Sequence, residues 1–407
     1  MLITYRPVDS KLSVSEQAVA EFERFFHSRS KPVVLSVPGR VNLIGEHIDY
    51  HNLPVLPIAI QKQITIAFLP RKNAQICAKS TVFADSVTFA LNAAFASGGR
   101  GHWGNYVRAA AHAIGTRQSL RNGIDACIAS DLPSAAGLSS SSALLIAVSL
   151  ALLQANRIDM SLNELTSILP EGEQLVGTRG GAMDHVALLA SRAGFATLIK
   201  SFEPLAIDYV RIPSGWRFLV AHSLVTAEKS GSLAAEYNHR RAAGTRALRK
   251  LGLSSYSEAI SSSYAHGTPA LSEEAERDAF VHVTGEARRV LESVGAIRAG
   301  DLTYFGRLLY ESHVSLRDRV RVSLPEVDTL VDAALDAGAA GARLTGAGFG
   351  GCVVCLCTTE TIERLRKGIW RTYYRQRQSF DPANHLFVAE PFQGALSPKP
   401  PDDTNQH

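Results

Sequence analysis

Long apolar runs and paired cysteines are both scarce in this sequence. The longest apolar run, Ala143 to Leu153, is too short to span a bilayer, so it predicts a buried helix in a globular core. The chain has five cysteines, an odd number, and no recognisable secretory signal at its N-terminus. Because disulfides persist mainly in oxidising compartments, we expect reduced thiols and a cytoplasmic location, with no membrane partner.

Three of the cysteines lie close together, at Cys352, Cys355 and Cys357, and their spacing partly resembles a metal-binding cluster. However, the run Cys-Val-Val-Cys-Leu-Cys is apolar throughout, as is typical of a buried strand. We therefore favour thiols packed in the core over a metal site here.

Excess charge of either sign is also absent. The net charge is +4 over 407 residues, and no basic run or basic patch with interleaved aromatics is present. This composition gives no sign of a nucleic-acid partner, although it is compatible with small anionic ligands. The basic segment Thr361–Gln376 predicts a solvated helix face rather than a membrane or nucleic-acid surface.

Several familiar catalytic motifs are missing. The chain contains no Gly-x-x-x-x-Gly-Lys-Ser/Thr loop and no protein-kinase His-Arg-Asp or Asp-Phe-Gly set. The segment from Glu46 to His51 has two histidines four residues apart, but Gly45 and Pro54 flank it and argue against a helix. Because the zincin pattern His-Glu-x-x-His is absent, a metallohydrolase is disfavoured.

The length and periodicity predict two domains of mixed α/β structure. The weakest sequence pattern, and hence the domain boundary, lies near residues 192–215. Apolar spacing predicts helices at 13–27, 162–176, 234–251, 276–294, 302–315, 327–339 and 361–376. It predicts strands at 33–37, 63–69, 75–78, 123–130, 218–225, 352–357 and 386–390, with a break at Pro38-Gly39.

A hydroxyl-rich turn, Pro133–Ala143, lies between a predicted strand and the apolar helix. The N-terminus of a helix offers unpaired N–H groups and a positive dipole end to an anion. Serine hydroxyls add donors for phosphate oxygens and ligands for Mg²⁺. This turn is thus a candidate phosphate loop, although taken alone it is better explained as a serine-rich helix cap.

Three other segments have a functional and an ordinary explanation. Pro38–Tyr50 places Arg40 and several acidic or imidazole groups in a loop-like stretch, which suits the hydroxyls of a polyol or an ordinary surface loop. Gly177–His185 presents Asp184 behind glycines, as a ligand-facing carboxylate or a turn residue. Arg343–Cys352 is a glycine-rich turn that could close over a nucleotide phosphate. It precedes a strand, so it does not fit a dinucleotide-binding fingerprint.

Taken together, these four segments resemble the galactokinase family of the GHMP kinase superfamily. Pro38–Tyr50 is similar to the galactokinase signature, Pro133–Ala143 to the superfamily phosphate loop, Ala182-Met-Asp184 to the catalytic-Asp segment, and Leu344–Cys352 to the third glycine-rich motif. Secondary matches occur in the same order at Trp103–Tyr106, Glu236–Asn238 with Arg240-Arg241, Glu311–Leu316 and Ser323–Glu326.

The resemblance implies an α/β (α+β) fold of two domains. Residues 1–200 would form an N-terminal ribosomal-S5-like GHMP kinase domain, with the sugar signature and the phosphate loop. Residues 201–395 would form a C-terminal ferredoxin-like domain, with the active site between the two. Residues 396–407 would be a disordered tail.

The resemblance also implies roles for individual residues. Asp184 would act at the anomeric hydroxyl of the sugar, as a base or an orienting group, and Arg40 would lie near the transferring phosphoryl group. The sugar would be held by Glu46, His47, Asp49, Gly181 and Tyr237. ATP would be bound by Ser134, Ala135, Ala136, Gly137, Leu138, Ser139, Ser140, Gly346 and Gly348, with Trp103 and Tyr106 near the adenine. Mg²⁺ would be bound by Ser141 and Glu173, although Gly172 occupies the strict family position and Glu171 is an alternative.

The implied function is an ATP- and Mg²⁺-dependent sugar 1-kinase that acts as a monomer on D-galactose. Departures from the family pattern lie beside the sugar segments, at Ile48, His51–Pro54 and Gly180–His185, and the phosphate loop has Ala135-Ala136 where glycine is common. They leave N-acetylgalactosamine, L-arabinose or a uronic acid as alternative substrates. A non-catalytic sugar and ATP sensor is the alternative from another class; Arg40, Ser141 and Asp184 favour the enzyme.

Overall fold

Two β-sheets with helices packed on them organise this chain. The computed structural model describes residues 12–93, 95, 97–99, 101–177, 180–226, 232–261 and 270–397, with backbone alone at 232–237. In those residues the α-helices are α1 Val14–Phe26, α2 Gly104–Gly115, α3 Ser140–Asn156, α4 Leu162–Val176, α5 Met183–Ala190, α6 Ser232–Lys250, α7 Tyr256–Ser261, α8 Glu274–Ala299, α9 Leu302–Ser315, α10 Pro325–Asp336, α11 Ile362–Ile369 and α12 Pro382–His385. In the described part of the chain, no helix is both long and apolar enough to cross a membrane.

The first sheet has the strand order β1-β2-β5-β3-β4, and β12 also pairs with β2. Its strands are β1 Val33–Asn42, β2 Pro57–Arg71, β3 Gln75–Ser80, β4 Ser86–Ala90, β5 Gly123–Ser130 and β12 Pro391–Phe392. Side chains alternate along β2: Ile66 and Phe68 join the main core, which includes the apolar side chains of α3, whereas Ala67 packs with Phe22 of α1 on the opposite face. The sheet therefore has a helix on each face.

The second sheet, in the order β11-β8-β10-β9, is antiparallel throughout. Its strands are β8 Trp216–His222, β9 Gly341–Thr345, β10 Cys352–Thr358 and β11 Leu386–Ala389. On β10, Cys352 lies in one core cluster, and Cys355 and Cys357 lie in another. All three are buried free thiols, and no group of metal-ligating side chains occurs among the described residues. The prediction of core thiols is confirmed.

The hairpin β6 Phe195–Phe202 and β7 Leu205–Arg211 joins the two sheets along the chain. The predicted division at residue 200 falls inside β6, and β12 returns to the first sheet although it lies near the C-terminus. Of the predicted tail, Leu396 and Ser397 are described, and both hydrogen-bond with the Leu189–Ser191 segment. The exact division of the chain into domains stays a prediction.

Two local predictions are wrong. The break predicted at Pro38-Gly39 is a bulge within β1: the register against β2 shifts there and the strand continues to Asn42. Arg40 therefore lies on a strand rather than in a loop. Likewise, Arg343 to Thr345, predicted as part of a turn, form the buried end of β9 because they pair with β10.

Candidate active site

The Arg40 guanidinium connects three segments of the site. Its Nε and Nη2 lie 2.8 and 2.7 Å from Asp184 Oδ1, and its Nη1 donates to the Gly137 carbonyl oxygen at 2.5 Å. Only 2% of Arg40 is exposed. Burial alone would lower the pKa of Arg40, but the charges of Asp184 and Glu46 raise it. One buried cation therefore joins β1, the phosphate loop and the first turn of α5.

Asp49 lies beside this pair, on a short 3₁₀ turn, Asp49–His51. It is buried, and burial raises its pKa to about 6, with repulsion from Asp184 and Glu46 adding to the effect. A Cβ on Gly181 would lie 2.2 Å from Asp49 Oδ2 and 2.9 Å from the Tyr50 nitrogen. Glycine is thus required where the segment before α5 packs on the Asp49 turn.

His47 is held by the protein through both ring nitrogens. Nε2 lies 3.2 Å from the Ala347 carbonyl oxygen, and Nδ1 lies 3.2 Å from the Tyr50 hydroxyl. Because a carbonyl can only accept, Nε2 carries the proton and Nδ1 accepts from Tyr50. Burial lowers the pKa of His47 to about 3, so the ring is neutral near pH 7. His47 therefore connects the signature loop, residues 43–50 after β1, to the glycine-rich turn, residues 346–351.

Glu46 makes a second connection to the same turn. The Gly346 N–H donates to its Oε1 at 2.6 Å, and Arg343 Nη2 lies 3.7 Å from that oxygen. Burial raises the pKa of Glu46, an effect that the Arg343 and Arg40 charges oppose. The signature loop and the glycine-rich turn, 300 residues apart in sequence, are therefore bonded directly to each other.

The phosphate loop has left-handed backbone at alternate positions. The φ angles of Ala135, Gly137 and Ser139 are +51°, +77° and +61°, and α3 begins at Ser140. Left-handed residues in a turn are a common feature of backbone concavities whose N–H groups bind anions. The side chains of Ala136 and Leu138 are buried and anchor the loop, whereas Ser134 is exposed. Ser139 Oγ is buried with no hydrogen-bond partner among the described residues.

The two glycine-rich turns also touch each other through their backbones. A Cβ on Gly137 would lie 2.9 Å from the Thr345 carbonyl oxygen, and one on Gly346 would lie 2.8 Å from the Gly137 carbonyl oxygen. Gly348, with a φ of +86°, packs in the same way on Val322. Close backbone approach thus builds one wall of the site from both halves of the chain.

The predicted metal ligands lie on two neighbouring helices, Ser141 in the first turn of α3 and Glu173 on α4. Ser142 Oγ donates to Glu173 Oε1 at 2.5 Å, which brings this buried carboxylate beside Ser141. Tyr106 neighbours both groups: burial raises its pKa to about 12, the Glu173 charge adds to this, and a hydrogen bond with Ser141 opposes it. The alternative ligand Glu171 is half exposed and pairs with Arg117 at 3.5 Å.

Two predicted ligand residues are not shown facing the site. Trp103 is only 5% exposed; its indole N–H donates to Asp85 at 2.9 Å and its ring stacks with Phe83. Tyr237 lies on α6, but its side chain falls outside the described residues. A placement of Trp103 near adenine and of Tyr237 at the sugar stays a prediction.

Sequence reasoning missed a buried polar framework behind the signature loop. Arg343 Nη1 donates to the Asn42 and Leu43 carbonyl oxygens at 3.0 and 2.9 Å, and Thr345 hydrogen-bonds both backbone groups of Asn42. His282 and Glu286 of α8 contact the backbone of Glu46 and of Gly45. The position of Arg343 between apolar residues could have indicated a buried charge. The neighbouring sequence, however, does not indicate which groups Arg343 bonds.

Comparison with known proteins agrees with this geometry. Family models described as galactokinase galactose-binding signature, GHMP kinases N terminal domain and GHMP kinases C terminal match residues 20–70, 105–192 and 293–376. A galactokinase of Roseiflexus sp. is 36% identical over 84% of this chain and 88% of its own length. The chain belongs to the galactokinase family. A galactokinase of Chloroflexus aggregans is 37% identical over 85% of this chain and 89% of its own.

Solved structures show the same relationship. A Lactococcus lactis galactokinase complexed with galactose superposes with a TM-score of 0.85 at 27% identity, covering 92% of this chain and 97% of that one. An L. major mevalonate kinase shares the fold alone, with a TM-score of 0.59 at 17% identity over 89% of this chain and 99% of that one. This member of the galactokinase family thus has the GHMP kinase fold and is a sugar kinase, with ATP as its co-substrate.

The contact between the glycine-rich turns can be tested with two matched alanine substitutions. Gly137 and Gly194 have φ angles of +77° and +79°, but a Cβ on Gly194 would meet nothing within 4 Å. Each substitution should cost about 1 kcal/mol for left-handed backbone. Gly137→Ala alone should destabilise the protein beyond this cost and raise the KM for ATP, because the new Cβ would displace the Thr345 carbonyl group. Denaturant unfolding and initial rates measure this; equal effects of the two changes would contradict the contact.

Proposed function

We propose that this chain transfers the γ-phosphoryl group of ATP to the anomeric hydroxyl of D-galactose. The observation that carries the proposal is the Arg40 bridge, which places the Asp184 carboxylate beside the Gly137 turn of the phosphate loop. Arg40 thus bonds both a carboxylate that can act on a hydroxyl and a loop that can bind phosphates. The galactokinase names of its relatives, and the galactose complex of the Lactococcus lactis protein, support galactose as the acceptor.

The reaction follows from the placement of these groups. The sugar C1 oxygen bonds to the γ-phosphorus while the bond from that phosphorus to the bridging oxygen breaks, and its electron pair leaves with ADP. Asp184 orients the C1 hydroxyl or accepts its proton, and the adjacent Arg40 favours the ionised carboxylate. Phosphoryl transfer depends mainly on positioning and charge stabilisation, which Arg40 and the N–H groups of the loop provide.

The sugar would lie on the Asp184 side of the bridge. The Glu46 and Asp49 carboxylates are hydrogen-bond acceptors for sugar hydroxyls, while His47 holds their loop and Gly181 leaves room beside Asp49. We retain Tyr237 as a further sugar contact, and Trp103 and Tyr106 as residues near the adenine. We also propose that the enzyme works as a cytoplasmic monomer with these two small molecules as its partners.

Ser141 of α3 and Glu173 of α4 fit a magnesium ion. Mg²⁺ prefers oxygen ligands and often uses one or two carboxylates together with substrate phosphates. The Ser141 hydroxyl and the buried Glu173 carboxylate provide such oxygens beside the phosphate loop. When bound there, Mg²⁺ would neutralise phosphate charge. The Glu173 carboxylate hydrogen-bonds Ser142, next to Ser141, whereas Glu171 is half exposed and pairs with Arg117.

A related sugar is the second candidate substrate. The His51 ring lies 4.7 Å from the Tyr256 ring, and its Nε2 would be 2.6 Å from a Cβ on Gly244 of α6. This residue departs from the family pattern and belongs to the turn that carries Asp49, so it is a specific reason to test N-acetylgalactosamine, L-arabinose and uronic acids. Ile48, also a departure, is fully buried behind the same turn.

A panel of free sugars with ATP and Mg²⁺ tests the function directly. We expect ADP release with galactose and a product phosphorylated at the anomeric oxygen, identified by phosphorus NMR. Turnover with another aldose but not with galactose would contradict the substrate. Binding of sugar and ATP without any ADP release would instead indicate a sensor.

The metal ligand can be tested with neighbouring glutamates. Glu173→Gln should raise the Mg²⁺ concentration needed for half-maximal rate about tenfold, since the metal loses an anionic ligand. Glu171→Gln removes the same charge two residues away and should leave this concentration unchanged. A shift of equal size in both variants would exclude Glu173 as the ligand.

A further inference from the structure

Helix α8 holds the signature loop through two backbone groups. The Gly45 N–H donates to Glu286 Oε1 at 2.9 Å, and His282 Nε2 lies 3.0 Å from the Glu46 carbonyl oxygen. His282 and Glu286 are four residues apart, so both side chains project from the same face of α8. The Gly45 N–H and the Glu46 carbonyl are therefore both bonded from the C-terminal half of the chain.

The protonation states of the two side chains are fixed by their surroundings. The Glu46 carbonyl can only accept, so His282 Nε2 carries a proton, and Nδ1 accepts from the Ser315 hydroxyl at 2.9 Å. Burial lowers the pKa of His282 to about 4, which keeps the ring neutral. Near neutral pH, His282 therefore donates a hydrogen bond to the loop without bringing a charge.

Glu286 is a fully buried carboxylate with several donors around it. Oε1 accepts from Gly45 and from the Ser312 hydroxyl at 2.6 Å, and Oε2 accepts from Arg289 Nε at 2.9 Å. Burial would raise the pKa of Glu286, but Arg289 and the other nearby donors lower it to about 2. It is thus a permanent, rigidly held anion directed at a loop N–H.

The side chains of this loop are bonded elsewhere. The Glu46 carboxylate accepts from the Gly346 N–H, and His47 Nε2 donates to the Ala347 carbonyl oxygen, so both bond the glycine-rich turn. The loop backbone is fixed by α8 and the loop side chains by the turn. A rotation of the backbone at Gly45 and Glu46 would therefore displace the Glu46 carboxylate, the group assigned to the sugar. Among the described residues, the phosphate loop has no bond to His282 or Glu286.

We propose that His282 and Glu286 are positioning residues for the sugar, acting through the backbone of Gly45 and Glu46. The inference rests on the proposed function, because it assumes that Glu46 and Asp49 bind the sugar. Two residues of the C-terminal half of the chain would thereby strengthen sugar binding without affecting nucleotide binding.

Two amide substitutions at His282 separate positioning from packing. In His282→Gln the amide nitrogen can reach the place of Nε2 and donate to the Glu46 carbonyl, whereas in His282→Asn it reaches only the place of Nδ1, toward Ser315. We expect His282→Gln to keep the wild-type KM for galactose within about threefold and His282→Asn to raise it about tenfold, the loss of one hydrogen bond. The KM for ATP should stay within about twofold in both.

Glu276 provides the control for Glu286. It is also buried on α8, where it forms ion pairs with Arg246 and Lys250, and no hydrogen bond from it to the signature loop occurs among the described residues. Both Glu→Gln changes weaken a buried ion pair and should lower the melting temperature. Only Glu286→Gln should raise the KM for galactose, and the dissociation constant for galactose measured by calorimetry, by about tenfold.

The outcomes separate this inference from the proposed function. If the wild-type chain does not phosphorylate galactose, the proposed function fails before any variant is compared. If it does, equal galactose KM values for His282→Gln and His282→Asn would overturn the positioning role. A parallel rise in the KM for galactose and for ATP would overturn it as well. Should Glu286→Gln fail to fold, the pair of His282 variants decides alone.

Discussion

A buried guanidinium is the interaction on which the site depends. Arg40 lies almost entirely out of solvent, and its charge is balanced by Asp184 and by the Gly137 carbonyl oxygen. Removing one partner of a buried ion pair costs about 3–5 kcal/mol, because the remaining charge is left without compensation. The strand β1, the phosphate loop and the helix α5 therefore cannot move independently. Asp184, which we propose acts on the sugar hydroxyl, is thus held at a fixed distance from the proposed phosphate loop.

The second constraint is the attachment of the signature loop to the C-terminal half. Glu46 and His47 bond the Gly346–Ala347 turn, Arg343 bonds the backbone that precedes them, and α8 bonds the peptides of Gly45 and Glu46. Many of these groups are buried and charged or polar, so each is costly to leave unpaired. The side of the site that we propose binds the sugar is accordingly built by both halves of the chain, whereas the proposed phosphate loop belongs mostly to the N-terminal half.

The sequence predicted the parts of this site that depend on neighbouring residues. The strand β5, the hydroxyl-rich turn and the apolar helix α3 follow from periodicity, and the family from four motifs in order. Long-range pairing decided the rest. The bulge in β1 depends on its partner strand, and the burial of Trp103 depends on Asp85 and Phe83. His282 and Glu286 look like ordinary helix residues because their partners lie more than 200 residues away.

The central claim is that the planar Arg40 guanidinium holds Asp184 and the phosphate loop together for phosphoryl transfer. The substitution Arg40→Lys tests this claim most directly. Lysine keeps the positive charge but cannot bond Asp184 and Gly137 together in that geometry. Single-turnover transfer to galactose should fall by on the order of a hundredfold, as when a transition-state donor is removed. Binding of ADP, measured by calorimetry, should persist because the loop N–H groups remain. A transfer rate within about threefold of the wild type would contradict the account.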